Sequence, residues 1–319
     1  MTFELCRVLD ILDQHNILAL PYKGPILGLI AYGDPALRSF DDLDLLLPEA
    51  DYFKPKHVLK NYGYVTPPYI ALSEKNEDRF RQYFGEYPMV REKGNICLDI
   101  HRRCLGNGDL TFTGDLPQLW NRLITIEFAG RKIQTFSHSD LLIYLTMNGF
   151  KDGWEILRPV CDLAGVLHRQ AEHLEWDYIL TETRKLKIDR IFGLGLLLAH
   201  QLLQAEIPEE ILYQIKHDRS TTWLADRLHR CFRQELETLK SRNPIEALIL
   251  KWVGLKYGSS RRKYVLGTIE RIIKFSLAIN YRDTDIIRLP KPLHFLYYLI
   301  RPLRILSHYR QNVFKFLVK

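Results

Sequence analysis

Two stretches of this chain put aspartate where a strand should be apolar. In Arg38-Ser-Phe-Asp-Asp-Leu-Asp-Leu-Leu-Leu47 the leucines read as a buried strand, and Asp42 and Asp44 stand at its start. Side chains at i and i+2 of a strand point to one side, so both carboxylates face the same spot. Asp99, in Ile96-Cys-Leu-Asp-Ile100, has the same apolar setting and can approach from a neighbouring strand. Carboxylates gathered beside buried apolar runs are costly unless positive charge lies between them. Magnesium meets that need, because it takes carboxylate oxygens and substrate phosphates together. In the competing reading Asp41 and Asp42 close a surface loop, Asp44 pairs with a nearby arginine, and Asp99 pairs with Arg102 or Arg103.

The pattern around these strands is mixed. Apolar spacing predicts a helix over residues 2–14, a short strand within 17–22, and a helix over 24–33 with Pro25 at its first turn. A further helix is expected over 53–61, and extended segments over 81–90 and 95–101 are joined by Arg91-Glu-Lys-Gly94 as a hairpin. From Ser137 or Ser139, either of which can cap a helix, the pattern turns persistently helical. Helices are expected over 140–150, 159–173, 176–185, 188–204, 209–214 and 224–239, then over 244–256 and 263–280. The expected fold is α+β: a domain of residues 1–135 with a small mixed sheet and flanking helices, then a mostly helical domain of residues 136–319 that ends in a basic aromatic segment.

Charge is unevenly spread over the 319 residues. Residues 241–319 hold 16 Lys or Arg against 4 Asp or Glu, while residues 1–240 hold 29 against 34. That asymmetry predicts an anionic partner for the C-terminal region, whether RNA, a membrane surface or the acidic part of its own chain. Five scattered cysteines fit a reducing compartment and offer no structural zinc motif. No leader and no apolar run of about 20 residues is visible, so a cytoplasmic protein without a transmembrane segment is expected.

Four more residues sit where they could serve the carboxylates. Lys23 and Gly24 mark a strand-to-helix junction, where backbone amides and a helix N-terminus can receive phosphate. Arg38, four residues before Asp42, could clamp a triphosphate; a solvent-facing arginine is an equally simple reading. His101, two residues beyond Asp99, could support the site or merely pack at a strand end. The other histidines show no ligand spacing, and there is no Walker P-loop or serine elbow.

These pieces together resemble a known family. Lys23-Gly-Pro-Ile-Leu27, Tyr32-Gly-Asp-Pro-Ala-Leu-Arg38, Asp42-Leu-Asp-Leu-Leu-Leu47 and Leu98-Asp-Ile-His-Arg102 are similar to the bacterial uncharacterised nucleotidyltransferases, within the DNA polymerase β-type superfamily. Lys151-Asp-Gly-Trp154, Cys161-Asp-Leu-Ala164, Leu194-Gly-Leu-Leu-Leu-Ala-His200 and Tyr297-Tyr-Leu-Ile-Arg-Pro-Leu-Arg304 extend the resemblance along the helical part. It implies a nucleotidyltransferase fold and Mg²⁺-dependent transfer of a nucleotidyl group from an NTP to a hydroxyl of a small molecule, peptide or protein. It also implies that Asp42, Asp44 and Asp99 are the catalytic residues and hold two magnesium ions, with Gly24 at the phosphate turn. Pro25 departs from the usual Gly-Gly or Gly-Ser turn and removes one amide donor, a loss that Lys23 or Arg38 would offset. On this view Asp44→Asn abolishes turnover and leaves folding nearly intact. Trp154, Asp162 and Asp152 are candidates for an acceptor pocket. The alternatives are a catalytically inactive interaction protein that keeps the fold, and an RNA-directed nucleotidyltransferase suggested by Arg261-Arg-Lys263 and the basic tail.

Overall fold

A computed structural model describes residues 1–67, 86–91, 96–104, 118–154 and 156–238, with side chains to residue 233. The expected helices at 244–256 and 263–280, the basic aromatic tail and the link at 92–95 lie outside the described residues.

The first helix, α1 (Thr2–Gln14), buries Leu5, Val8, Leu9 and Leu12 along one stripe. It leads to β1 (Leu20–Pro21) and α2 (Gly24–Tyr32), which starts with Pro25 and is stopped by Gly33 in the left-handed region. Strand β2 (Asp42–Leu46), helix α3 (Lys54–Lys60), β3 (Tyr64–Val65), β4 (Glu86–Arg91) and β5 (Ile96–His101) follow. The strands form one mixed sheet in the order β1-β2-β5-β4-β3. Among the described strands of this sheet only β2 and β5 run parallel; the other neighbours are antiparallel. The fold expected from the aspartate-bearing strands is the one observed.

Side chains alternate across this sheet as the pleat requires. Leu43, Leu45, Leu98 and Ile100 are buried in the apolar core. The opposite face carries Asp42, Asp44, Asp99 and His101. A hairpin of β6 (Ile124–Phe128) and β7 (Arg131–Thr135), not foreseen from the sequence, turns at Ala129 and Gly130, both with positive φ. Thr135 Oγ1 donates to the Pro21 carbonyl at 2.8 Å, and Arg131 reaches Asp10 and Asp13 of α1, so the hairpin is tied to the first elements.

Among the described residues six helices then follow: α4 (His138–Lys151), α5 (Arg158–Arg169), α6 (Trp176–Lys185), α7 (Asp189–Leu203), α8 (Glu209–His217) and α9 (Arg219–Thr238). Ser137 caps α4 by accepting from the Asp140 amide at 3.1 Å. Helix α4 is buried around its circumference, from Leu141 through Leu145, which marks it as the central helix of this region. The helix expected over 159–173 ends at Arg169, and a short 3₁₀ turn covers Ala171–His173. Among the described residues no helix is long and apolar enough to cross a membrane.

An ionic contact ties the helical part to the α/β part. Arg38 Nε and Nη2 donate to the two oxygens of Asp162 on α5 at 3.0 and 3.2 Å, and Tyr32 OH donates to the same carboxylate at 2.8 Å. Gly165 of α5 lies so close to α2 that a Cβ there would stand 2.6 Å from the Ala31 carbonyl oxygen.

Candidate metal and nucleotide site

Strand register brings the carboxylates together. Asp44 pairs with Asp99 across the parallel ladder, and Asp42 pairs with Cys97 two residues earlier. On the far side of β5, Glu86 of β4 pairs with His101. Residues paired in this way share a face of the sheet, so one surface presents Asp42, Asp44, Cys97, Asp99, His101 and Glu86. Asp44, Asp99 and His101 each present a ligand atom, and these atoms all lie within 4.8 Å of one another. Glu86 is a member that sequence reasoning missed; only the cross-strand register reveals it.

The two opposed aspartates differ sharply in surroundings. Asp44 is 5% exposed, and its Oδ1 accepts from Lys23 Nζ at 2.9 Å and contacts His101 Nε2 at 2.9 Å. Burial alone would raise the Asp44 pKa, but Lys23 and His101 outweigh it and hold the carboxyl well below the usual range. Asp99 makes no ion pair among the described residues, and Cys97 Sγ approaches it at 3.8 Å. Burial, with Asp42 and Asp44 nearby, pushes the Asp99 carboxyl up to about 6 even though His101 pulls the other way. Burial and Asp44 likewise raise Asp42.

His101 lies between two carboxylates. Its Nε2 meets Asp44, and its Nδ1 lies 3.3 Å from Glu86 Oε2. Burial disfavours the imidazolium, but Asp44 and Glu86 prevail and bring its pKa to about 9. An imidazole between two carboxylates favours the cation over a lone-pair donor, although only Nε2 makes a well-formed hydrogen bond; Nδ1 is near Glu86 without one. Lys23 is the N-cap of α2, beside Gly24 at φ +51°, and its ammonium lies 5.5 and 5.9 Å from the ring centroids of Tyr22 and Tyr144.

These residues fit a hard cation. Asp42 and Asp99 hold their protons more readily than ordinary aspartates because burial, and then neighbouring carboxylates, disfavour their charge, and oxygen donors are what Mg²⁺ prefers. The structure places Lys23 and Gly24 at the edge of this surface, where the Gly24 backbone runs close to the Asp42 carbonyl. It places Arg38 elsewhere, on Asp162. Arg102, offered as a partner for Asp99, is bound instead to Glu49 at 2.8 Å. Trp154 is core at 1% exposure, and Asp162 belongs to the contact with Arg38 and Tyr32.

A sequence model for a family described as uncharacterised nucleotidyltransferase matches residues 1–204. No curated protein sequence matches the chain. Among solved structures, the crystal structure of ANT(2")-Ia in complex with adenylyl-2"-tobramycin is similar at 10% identity and a TM-score of 0.41, covering 58% of this chain and 96% of that one. A solution structure of the antibiotic-resistance factor ANT(2'')-Ia is similar at 11% identity and a TM-score of 0.38, covering 58% of this chain and 90% of its own. An antigenic nucleotidyltransferase-like protein from Paracoccidioides brasiliensis shows 16% identity and a TM-score of 0.35, over 58% of this chain and 87% of that one.

Proposed function

The chain belongs to the uncharacterised nucleotidyltransferase family, and from that premise we propose that it is a Mg²⁺-dependent enzyme moving a nucleotidyl group from an NTP to a hydroxyl of a small molecule, peptide or protein. The observation that carries this reading is the in-register pairing of Asp44 and Asp99 on adjacent parallel strands, with Asp42 on the same face. Asp42, Asp44 and Asp99 would hold the cation, two ions being what the sequence resemblance implies. When bound, the cation neutralises phosphate charge and lowers the pKa of the acceptor hydroxyl.

The chain's own groups supply the rest. Gly24 and the first turn of α2 offer backbone amides and partial positive charge to the phosphates, and Lys23 adds a full charge beside them. Asp99 takes the acceptor's proton on its carboxylate in a substrate pose that brings the hydroxyl within hydrogen-bond reach. The acceptor oxygen bonds to the α-phosphorus, the bond from that phosphorus to the α,β-bridging oxygen breaks, and pyrophosphate leaves. Arg38 can join phosphate binding only by giving up Asp162, so Lys23 and Gly24 carry that role here. The division into domains at 135/136 and a cytoplasmic location belong to the same proposal.

Incubating the full chain with each α-labelled NTP, Mg²⁺ or Mn²⁺ and cell extract tests it. Label transfer by wild type that Asp99→Asn abolishes is the expected result. No transfer from any of the four nucleotides, with no Mn²⁺ bound, would sink it. An inactive interaction protein is the second reading, favoured by the two cations already on Asp44 Oδ1. The crowded, raised carboxyls of Asp42 and Asp99 work against it.

A further inference from the structure

We propose that Lys23 is a built-in counter-ion for Asp44: its ammonium holds the carboxylate oxygen that a divalent cation would take, and moves to the nucleotide phosphates when that cation enters. This rests on the nucleotidyl-transfer reading above and concerns how its site is loaded.

One oxygen, Asp44 Oδ1, already serves two cations, Lys23 Nζ and His101 Nε2, each at 2.9 Å. A divalent ion arriving among Asp44 and Asp99 meets like charge at close range in a partly dehydrated site, where repulsion is weakly screened. One of the two cations must yield. His101 is poorly placed to do so: both ring nitrogens face carboxylates, its side chain is 6% exposed, and Tyr22 stands edge-on to it at 6.1 Å. Lys23 is well placed. Its side chain is 21% exposed, its stem is long and flexible, and its backbone is the N-cap of α2. A short swing carries the ammonium from Asp44 towards the helix N-terminus beside Gly24, where a phosphate would be received. The rings of Tyr22 and Tyr144 flank its present position, a favourable seat for a cation that is largely withdrawn from water. Asp44 is thereby kept aimed at the site until the metal arrives.

Titration of the full-length protein with Mn²⁺ alone, followed by electron paramagnetic resonance, tests this. Lys23→Met is expected to bind Mn²⁺ about tenfold more tightly than wild type, while Lys23→Arg, which keeps the charge, stays close to wild type. Equal or weaker Mn²⁺ binding by a folded Lys23→Met protein overturns the counter-ion role and leaves the transferase reading standing. Absence of Mn²⁺ binding in both wild type and Lys23→Met overturns the two together. Should circular dichroism show that Lys23→Met does not fold, the wild type answers alone. Acetylation of Lys23 by acetic anhydride, read by mass spectrometry, is expected to rise several-fold on adding Mn²⁺; unchanged or reduced labelling overturns the proposal.

Discussion

Asp44 and Asp99 face each other across the same rung of the β2–β5 ladder, yet one is held ionised far below its ordinary pKa and the other is pushed up to about 6. The difference lies in their neighbours: Lys23 and His101 converge on Asp44, while Asp99 gains no ion pair among the described residues and is crowded by carboxylates.

That contrast separates the two substitutions. Asp44→Asn removes the charge on which Lys23 and His101 both depend, leaving two neighbouring cations in a mostly buried setting. It should lower the free energy of unfolding by about 3 kcal/mol, the scale for breaking a buried ion pair. The sequence-based expectation that this variant folds nearly as well as wild type is changed by the contact. Asp99→Asn removes a carboxylate whose charge is disfavoured in the folded state, so its urea midpoint at pH 7.5 should equal or exceed that of wild type. On the transferase proposal both variants should also lose nucleotidyl transfer. A midpoint for Asp99→Asn well below that of Asp44→Asn would contradict this account.

Arg38 and Asp162 should behave as a coupled pair. With side chains 10% and 4% exposed, the guanidinium and carboxylate are shielded from water, and Tyr32 adds a third bond. A double-mutant cycle of Arg38→Ala and Asp162→Ala in urea unfolding should return a coupling energy of about 1–3 kcal/mol. Asp162→Ala should be the more harmful single change, since it strands a cation. Lysine at 38 should recover little, because it cannot reproduce the fork. Additive effects of the two alanine changes would show that the contact is incidental.

What could be read from the chain and what could not follows from distance along it. Asp42-Leu-Asp44 and Cys97-Leu-Asp99 announce strands, because period-two alternation and leucine runs are local signals. Helix α6 (Trp176–Lys185) is likewise local, and its expected limits are the observed ones. The partners of these residues are not local. Asp162 lies 124 residues from Arg38, and nothing near either one selects the other. His101 could be noticed beside Asp99, but its bond to Asp44 depends on a parallel register that no short motif encodes. Glu86 joins the site only through the antiparallel step from β5 to β4. Hairpin β6–β7 went unread although its strands alternate, because they carry no leucine run and the turn, Ala129-Gly130, lacks the asparagine or aspartate that usually signals one.

Glu4 should give the chain an acid-sensitive fastening between α1 and the sheet. Its carboxylate accepts from Arg7 at 2.8 Å, from Arg91 of β4 at 3.0 Å, and from Tyr64 of β3. Burial alone would raise its pKa, but the bonds from Arg7 and Tyr64 and the charges of Arg7 and Arg91 bring it below the ordinary value. A carboxylate whose folded pKa is depressed adds stability above its unfolded pKa and loses it as pH falls through the folded one. Glu4→Gln should therefore cost about 2 kcal/mol at pH 7. The gap from wild type should close as the pH drops below about 4.5. Urea unfolding of both proteins between pH 3 and pH 7 measures it, and a gap independent of pH would mean that packing, not charge, is what Glu4 provides.

The closest approach between α2 and α5 is set by a hydrogen atom. Gly165 faces the Ala31 backbone, and a methyl group there would lie 2.6 Å from the carbonyl oxygen and 3.1 Å from the Ala31 Cβ. Those atoms belong to a helix, so neither can move aside without moving α2. Ala is the better helix former by about 0.8–1 kcal/mol, which on propensity alone would make Gly165→Ala stabilising. Overpacking of this kind costs about 1–3 kcal/mol, and here it meets backbone rather than a pliable side chain, so steric cost should win. A displaced α2 also carries Lys23 and Gly24 at its start and Tyr32 at its end, so the change reaches both the carboxylate face and the Asp162 contact. Gly165→Ala is thus expected to melt several degrees below wild type and to weaken Mn²⁺-dependent nucleotide binding, although it touches no residue of the site. A variant that melts higher than wild type would show that α2 and α5 can separate at little cost, and that α2 is not held rigidly against the sheet.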